Sequence, residues 1–216
     1  MKKYQLIIFD WDGTLMDSVG RIVSSMQKAA QATHLSVPLA SSVKDIIGLS
    51  LPVSMQRLFP QASDEQHKTL IRHYSNYYKH LDDTPTPLFS GIDCMMQQLH
   101  ASGKLLAVAT GKSRNGLDRV LLETEMASLF CAHRGADEAK SKPDPLMLRQ
   151  ILDELNMPTQ SAVMVGDSVH DLAMAQAIDM DSIGVSWGVH DKAMLEKHQP
   201  VAIVDTVTEL HQLLLL

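Results

Sequence analysis

Three uninterrupted apolar runs stand out along the chain: Leu6-Ile7-Ile8-Phe9, Leu105-Leu106-Ala107-Val108-Ala109 and Ala162-Val163-Met164-Val165. Runs of this length without polar alternation predict strands buried on both faces, as in a parallel sheet covered by helices. Weaker strand candidates lie near Cys131, at Ser182–Val185 and at Val201–Val204. Between them the period changes to that of helices. Ile92, Met95, Met96 and Leu99 mark one, ended by Gly103; Leu117, Val120 and Leu121 mark a second; Leu148, Ile151, Leu152 and Leu155 mark a third. Strands alternating with helices imply a doubly wound parallel sheet.

That alternation is interrupted straight after the first run. Val19, Ile22, Val23, Met26 and Ala30 follow helical spacing, with Asp17 or Ser18 placed to cap the start. Further helical stretches follow at Ser42–Ile47, at Leu51–Phe59 after a break at Gly48, and beyond a cap at Asp64. The last of these sets Leu70, Tyr74, Tyr77, Tyr78 and Leu81 on one side, and Asp82-Asp83-Thr84-Pro85-Thr86-Pro87 reads as a linker. The predicted layout is an α/β core formed by residues 1–16 and 84–216, with an all-helical module of residues 17–83 inserted over the sheet edge.

Composition narrows the function classes. A hydrophobic fraction of 45% in 216 residues suits a globular chain with a real core, and a net charge of −6 without long charged runs leaves no nucleic-acid footprint. Lys2 and Lys3 precede an apolar stretch too short for a signal peptide, and no segment reaches the roughly 18 apolar residues of a membrane span. Cys94 and Cys131 have neither metal-ligand nor disulfide spacing and are expected as buried small hydrophobes in a reducing compartment. The reading is a cytoplasmic, soluble protein, a monomer or weak homodimer, without nucleic-acid or membrane partners.

The candidate chemistry lies where the strands stop, the edge at which open α/β sheets bind ligands. Asp10 follows the first run, with Asp12 two residues on and Gly13 turning the chain. Two carboxylates so close suit a hard cation, or a nucleophile with a proton-transferring partner; an ordinary Asp/Gly turn accounts for them as well. Thr110-Gly111-Lys112-Ser113 offers a hydroxyl and backbone N–H groups to an anion, or a simple helix cap. Lys140-Ser141-Lys142-Pro143 carries two candidate lysines, for which a solvated loop is the plain alternative. Gly166-Asp167-Ser168-Val169-His170-Asp171 sets one carboxylate at a strand end and another a helical turn later, suited to an oxygen-liganded divalent ion such as Mg²⁺; His170 reads as a surface or capping residue.

Taken together and in this order, the four stretches resemble the haloacid dehalogenase superfamily, in its phosphatase branch with a helical cap after the first strand. The matching pieces are Asp10 to Thr14, Thr110 at its strand end, Lys142-Pro143, and Gly166 to Asp171. The resemblance implies a Rossmann-like core and aspartyl-phosphate chemistry. Asp10 would attack phosphorus, while Asp12 would protonate the leaving oxygen and then activate water. Mg²⁺ would be held by Asp10, the backbone carbonyl of Asp12, Asp167 and, directly or through water, Asp171. Thr110, Gly111 and Lys142 would hold the phosphoryl oxygens.

The helical module should select the substrate. Asp12 argues against dehalogenation, because true dehalogenases lack the second Asp. Thr14, and the lack of a His among residues 17–27, separate the chain from relatives resembling β-phosphoglucomutase; Lys28 is poorly placed for a phosphonatase Schiff base. Gly48-Leu49-Ser50-Leu51-Pro52 resembles the substrate-facing loop of phosphoglycolate phosphatase-like members, and Arg21, Ser50 and Arg57 are candidates to meet a substrate. The expected activity is Mg²⁺-dependent hydrolysis of a small phosphorylated metabolite, phosphoglycolate among the candidates. A sugar phosphomutase and a regulatory protein phosphorylated on Asp10 are the alternatives. Closure of the cap predicts hinges near Met16–Ser18 and Thr84–Pro87.

Overall fold

The computed structural model describes residues 3–216, so Lys2 of the N-terminal lysine pair lies outside the described residues. Six parallel strands form one sheet in the order β3-β2-β1-β4-β5-β6: β1 (Leu6–Phe9), β2 (Leu105–Ala109), β3 (Ala132–Arg134), β4 (Ala162–Gly166), β5 (Asp181–Val185) and β6 (Ala202–Val204). The chain winds outward from β1 to one edge, returns to β4 and then winds to the other. This Rossmann-type order puts the topological switch between β1 and β4, where the loops diverge and leave a crevice.

The apolar runs become strands because both faces of the sheet are covered. Ile7 and Phe9 join one buried cluster with Leu106, Val108, Val163 and Val165, beneath α5 (Ile92–Ala101), α6 (Arg114–Glu123) and α10 (Val207–Leu215). Leu6 and Ile8 join the opposite cluster with Ala107, Ala109, Ala162 and Met164, beneath α7 (Leu146–Glu154) and α8 (Val169–Gln176). All four side chains of β1 are completely buried, each contributing about 1.5–3 kcal/mol relative to exposure. Such a strand is fixed in position, and so is whatever follows it.

Between β1 and α5 the chain forms α1 (Val19–Ala32), α2 (Ala40–Lys44), α3 (Leu51–Leu58) and α4 (Asp64–Asn76), packed around their own cluster of Ile22, Met26, Val43, Met55, Leu70 and Tyr78, among others. The entering and leaving segments run side by side: Asp17 N–H donates to Pro87 O at 2.8 Å, and Arg21 Nε to Thr84 O at 2.5 Å. Helix α9 (Lys192–Glu196) lies between β5 and β6.

Several local expectations are corrected. Ser63, not Asp64, caps α4, through a reciprocal pair of hydrogen bonds with Gln66. Helix α4 runs on into a π turn over Tyr77–Leu81, whose wider winding carries Leu81 off the buried face to 58% exposure. Ser18 holds the cap position of α1, but its hydroxyl does not cap the helix. Both cysteines are exposed rather than buried, since the inner side of α5 is taken by Ile92, Met95, Met96 and Leu99, and Cys131 precedes the edge strand β3.

Candidate active site

The end of β1 is built first. Asp10 N–H donates to Val165 O at 2.9 Å, extending the β1–β4 pairing by one residue and fixing the Asp10 backbone. Trp11 is driven fully into the core, where its ring packs against Phe130 and its Nε1–H reaches Met16 Sδ at 3.4 Å. Leu15 and Met16 N–H both bond Trp11 O at 3.0 Å, closing the loop. Gly13 turns at φ +81°, and a Cβ there would lie 2.2 Å from Asp167 Oδ2. Glycine is therefore required twice over, by backbone conformation and by the close approach of the β4 carboxylate.

Four charged side chains of the crevice are completely or almost completely buried: Asp10, Lys142, Asp167 and Asp171. Lys142 Nζ bridges two of the carboxylates, donating to Asp10 Oδ1 at 2.7 Å and to Asp171 Oδ1 at 2.6 Å. Asp171 Oδ2 accepts from the Ser168 hydroxyl at 2.6 Å, and Ser168 in turn caps α8. Asp167 accepts from Thr14 Oγ1 at 2.8 Å and from Val189 N–H at 2.8 Å. One atom is left over: Asp10 Oδ2 is buried and has no hydrogen-bond partner.

Burial pushes Asp10 well above the usual carboxylate range, opposed by Lys142 and reinforced by Asp171 and Asp167. Burial, then the neighbouring Asp171, raises Asp167 to about 7. Burial lowers the hold of Lys142 on its proton, but Asp10 and Asp171 more than restore it and keep the ammonium charged. One ammonium does not offset three buried carboxylates, and Asp10 and Asp167 respond by holding protons more tightly. Asp10, Asp167 and Asp171 can each present an oxygen within 4.8 Å of one another. An all-oxygen donor set with one orphaned oxygen fits a hard divalent cation such as Mg²⁺.

Asp12 serves the other side of the crevice. Its Oδ1 accepts from the Ser18 hydroxyl and pairs with Lys112 Nζ at 2.8 Å. Its carboxylate is not part of the three-aspartate group; the expectation that Asp12 serves as a ligand concerned only its backbone carbonyl. Lys112 also reaches Tyr78 Oη at 3.3 Å and lies 5.0 Å from the centre of that ring. Burial would lower its affinity for a proton, but Asp12 and then Tyr78 hold it charged.

Beyond Asp12 a cavity of about 270 Å³ opens between the helical module and the core. Asp12, Gly111 and Lys112 form its inner end; Ile22, Met26, Ile46, Ile47, Leu49, Leu51, Tyr74 and Tyr78 contribute walls. The loop over Gly48–Ser50 closes onto the core. Ser50 N–H donates to Ser141 Oγ at 2.8 Å, and a Cβ on Gly111 would lie 2.7 Å from the carbonyl oxygens of Gly48 and Leu49.

The sequence-predicted residues therefore fall into separate groups. Asp10, Lys142, Asp167 and Asp171 come together, with Thr110 fully buried at the neighbouring strand end; Asp12, Gly111 and Ser50 line the cavity. Arg21 and Arg57 do not line it: Arg21 is engaged with Thr84 O, and Arg57 is exposed. Lys28 pairs with Asp82 at 3.0 Å, and Lys140 is a solvated loop lysine beside Asp144. His170 is not a surface residue: it is buried, its Nε2 lies 3.0 Å from Asp45 O, and its ring packs edge-on to His190.

Sequence reasoning gave no site role to Lys112, to Ser18 (read as a helix cap), to Ser168 or to the loop at Gly188–Val189. Lys112 and Ser168 stood in quoted strand-end stretches without a role, although the Ser168-x-x-Asp171 spacing is that of a capping box, and nothing local signals the contacts of Ser18 or of Gly188–Val189 with the site. Gly188 is needed because a Cβ there would lie 2.2 Å from Asp167 Cβ.

A doubly wound sheet with buried carboxylates at its switch point, one lysine among them and a cavity alongside, defines an α/β protein with residues placed to hold a hard cation beside a ligand at one sheet edge. Residues 7–185 match the family model described as haloacid dehalogenase-like hydrolase, and the chain belongs to that family. It is 34% identical over 208 residues to "Probable phosphatase IndB" of Dickeya dadantii, covering 94% of this chain and 90% of the relative. It is 26% identical to a phosphoglycolate phosphatase of Vibrio cholerae, covering 100% and 99% of the two chains. A crystal structure from Clostridium acetobutylicum, titled a "predicted phosphatase", superposes with a TM-score of 0.88 at 28% identity over 99% of both chains. The protein is a phosphoric monoester hydrolase of this family. Among the described residues, no helix is long and apolar enough to cross a membrane.

Proposed function

We propose that the chain is a Mg²⁺-dependent phosphatase of small phosphorylated metabolites that works through an aspartyl-phosphate on Asp10. The observation that carries this reading is the free oxygen Asp10 Oδ2, buried in the cluster of Lys142, Asp167 and Asp171, two residues before Asp12, which lines the cavity. An Asp10 oxygen attacks phosphorus as the bond to the leaving oxygen breaks, and Asp12 delivers a proton to that oxygen. Asp12 then takes a proton from the water that attacks the acyl phosphate, releasing inorganic phosphate and restoring Asp10. Lys142, the Thr110 hydroxyl and the backbone at Gly111 hold the phosphoryl oxygens in place. A Mg²⁺ ion held by Asp10, Asp167, Asp171 and the Asp12 carbonyl supplies the positive charge that lets a phosphate dianion approach a carboxylate.

Phosphoglycolate, the substrate named for several relatives, is one candidate. The docked Gly48–Ser50 loop supports cap closure over the bound ester, with the paired segments at Asp17 and Pro87 as the hinge. The test is phosphate release from a panel of monoesters with Mg²⁺ or with chelator, alongside Asp10→Asn. The expected result is turnover that needs the metal and disappears in the variant. Turnover that survives in Asp10→Asn, or is indifferent to chelation, would discard the mechanism.

A further inference from the structure

The walls of the cavity say more about the substrate than its inner end does. We infer that the preferred substrate is the monophosphate of an uncharged alcohol bearing a ring-sized apolar group, ahead of short carboxylate-bearing esters such as phosphoglycolate. This rests on the phosphatase reading above and refines it.

The first observation is size. An apolar cavity of about 150 Å³ admits benzene, and this one measures about 270 Å³ outside the buried carboxylate cluster, so a two-carbon acid would leave most of it unfilled. The second is lining. Ile22, Met26, Ile46, Ile47 and Tyr78 are all buried, and Tyr74 stacks on Tyr78 with centroids 5.8 Å apart and planes at 29°, which gives one flank a flat aromatic surface. The third is charge. Of the cations lining the cavity, Lys112 is committed to Asp12 at 2.8 Å, Arg119 pairs through Nη1 with Glu123 at 2.8 Å while its buried Nε has no partner, and Lys79 is exposed. A substrate carboxylate set against Ile22, Met26, Ile46 and Ile47 would lose water with no partner among those side chains, whereas an apolar ring would exchange water for contact with them.

Benzyl phosphate and phosphoglycolate make the fair comparison, because both release an alkoxide on a primary carbon. With the full-length protein and Mg²⁺, kcat/KM is expected to favour benzyl phosphate by at least about tenfold, the discrimination a few apolar contacts provide. Ser75→Arg places a cation on the cavity wall at a half-buried helical position and is expected to reduce that ratio by about tenfold. Should that variant not fold, inhibition of the unmodified protein supplies the second measurement: benzylphosphonate is expected to bind at least about tenfold more tightly than phosphonoacetate. Equal ratios, or a preference for phosphoglycolate, would overturn the inference and leave the phosphatase reading standing. No metal-dependent turnover of either ester, or of any in the wider panel, would sink that reading and the inference with it.

Discussion

The two sides of the Asp10–Asp12 loop are built on opposite principles. On the sheet side, Asp10, Lys142, Asp167 and Asp171 are completely or almost completely buried, and apart from one oxygen of Asp10 every charged atom there has a partner, most of them from a distant part of the chain. On the helical side, aliphatic and aromatic side chains such as Ile22, Met26, Ile46, Ile47, Tyr74 and Tyr78 supply much of the cavity wall, with no cluster of buried charges like that at the sheet edge. The difference separates two tasks. Phosphoryl chemistry needs charges held at fixed positions, and burial in a rigid sheet edge does that. Recognition of a leaving group needs shape and dryness, which packed helices supply and can change by exchanging one side chain for another.

The largest break in this contrast should come from Asp10. Asp10→Asn removes the nucleophile while keeping the shape, and kcat is expected to fall by on the order of 10⁴-fold or more. Retention of a tenth of the activity would show that the free oxygen is not the attacking one.

Lys142 comes next. Lys142→Met leaves Asp10 and Asp171 buried with no shared counter-charge, and the folded state is expected to lose about 3–5 kcal/mol in urea unfolding. Substitutions in the cavity wall have no such charge to strand. A loss below about 1 kcal/mol would mean that the two carboxylates relax or protonate without cost.

Acidity sharpens the contrast further, because only the sheet side titrates with the metal. Asp167, raised to about 7 from a usual 3.8, keeps a proton in the metal-free folded state that the unfolded chain has already released. Its contribution to stability is therefore fully present below pH 3.8 and is lost as pH rises through about 7. A bound cation must displace that proton. Mg²⁺ affinity is expected to fall by up to about tenfold per pH unit below 7, with proton release on binding seen by calorimetry in buffers of different ionisation heat. Affinity that stays flat from pH 7.5 to 5.5 would exclude Asp167 as a ligand.

The smallest effect is expected where the two sides meet. Ser141→Ala removes the acceptor for Ser50 N–H, and this one neutral hydrogen bond contributes about 1 kcal/mol or less. KM should rise a few-fold with kcat nearly unchanged; no change in either would separate the loop contact from substrate capture.

Much of the architecture was legible before any coordinates. The apolar runs of β1, β2 and β4 could only be central strands, because four or five consecutive side chains of that kind need cover on both faces. Asp10, Thr110 and Asp167 were then placed at one edge by counting to the strand ends. Lys142 could be named only by resemblance, since a lysine before a proline in a loop gives no local sign that it will be buried between two aspartates. Spacing failed where a helix left its regular winding, as at Leu81, and where residues face each other only after folding, as Lys112 and Tyr78 do.

By itself the sequence determined the period of each element, the order of the elements and the carboxylates that close the central strands, since these follow from hydrophobic patterning over short stretches. Only the tertiary structure decided which lysine joins Asp10, which one holds Asp12, that Arg21 turns to Thr84 instead of the cavity, and how large and how apolar that cavity is. Those outcomes depend on contacts between residues tens to more than a hundred positions apart, set by how helices and loops pack around the sheet. No local pattern encodes the distances between them.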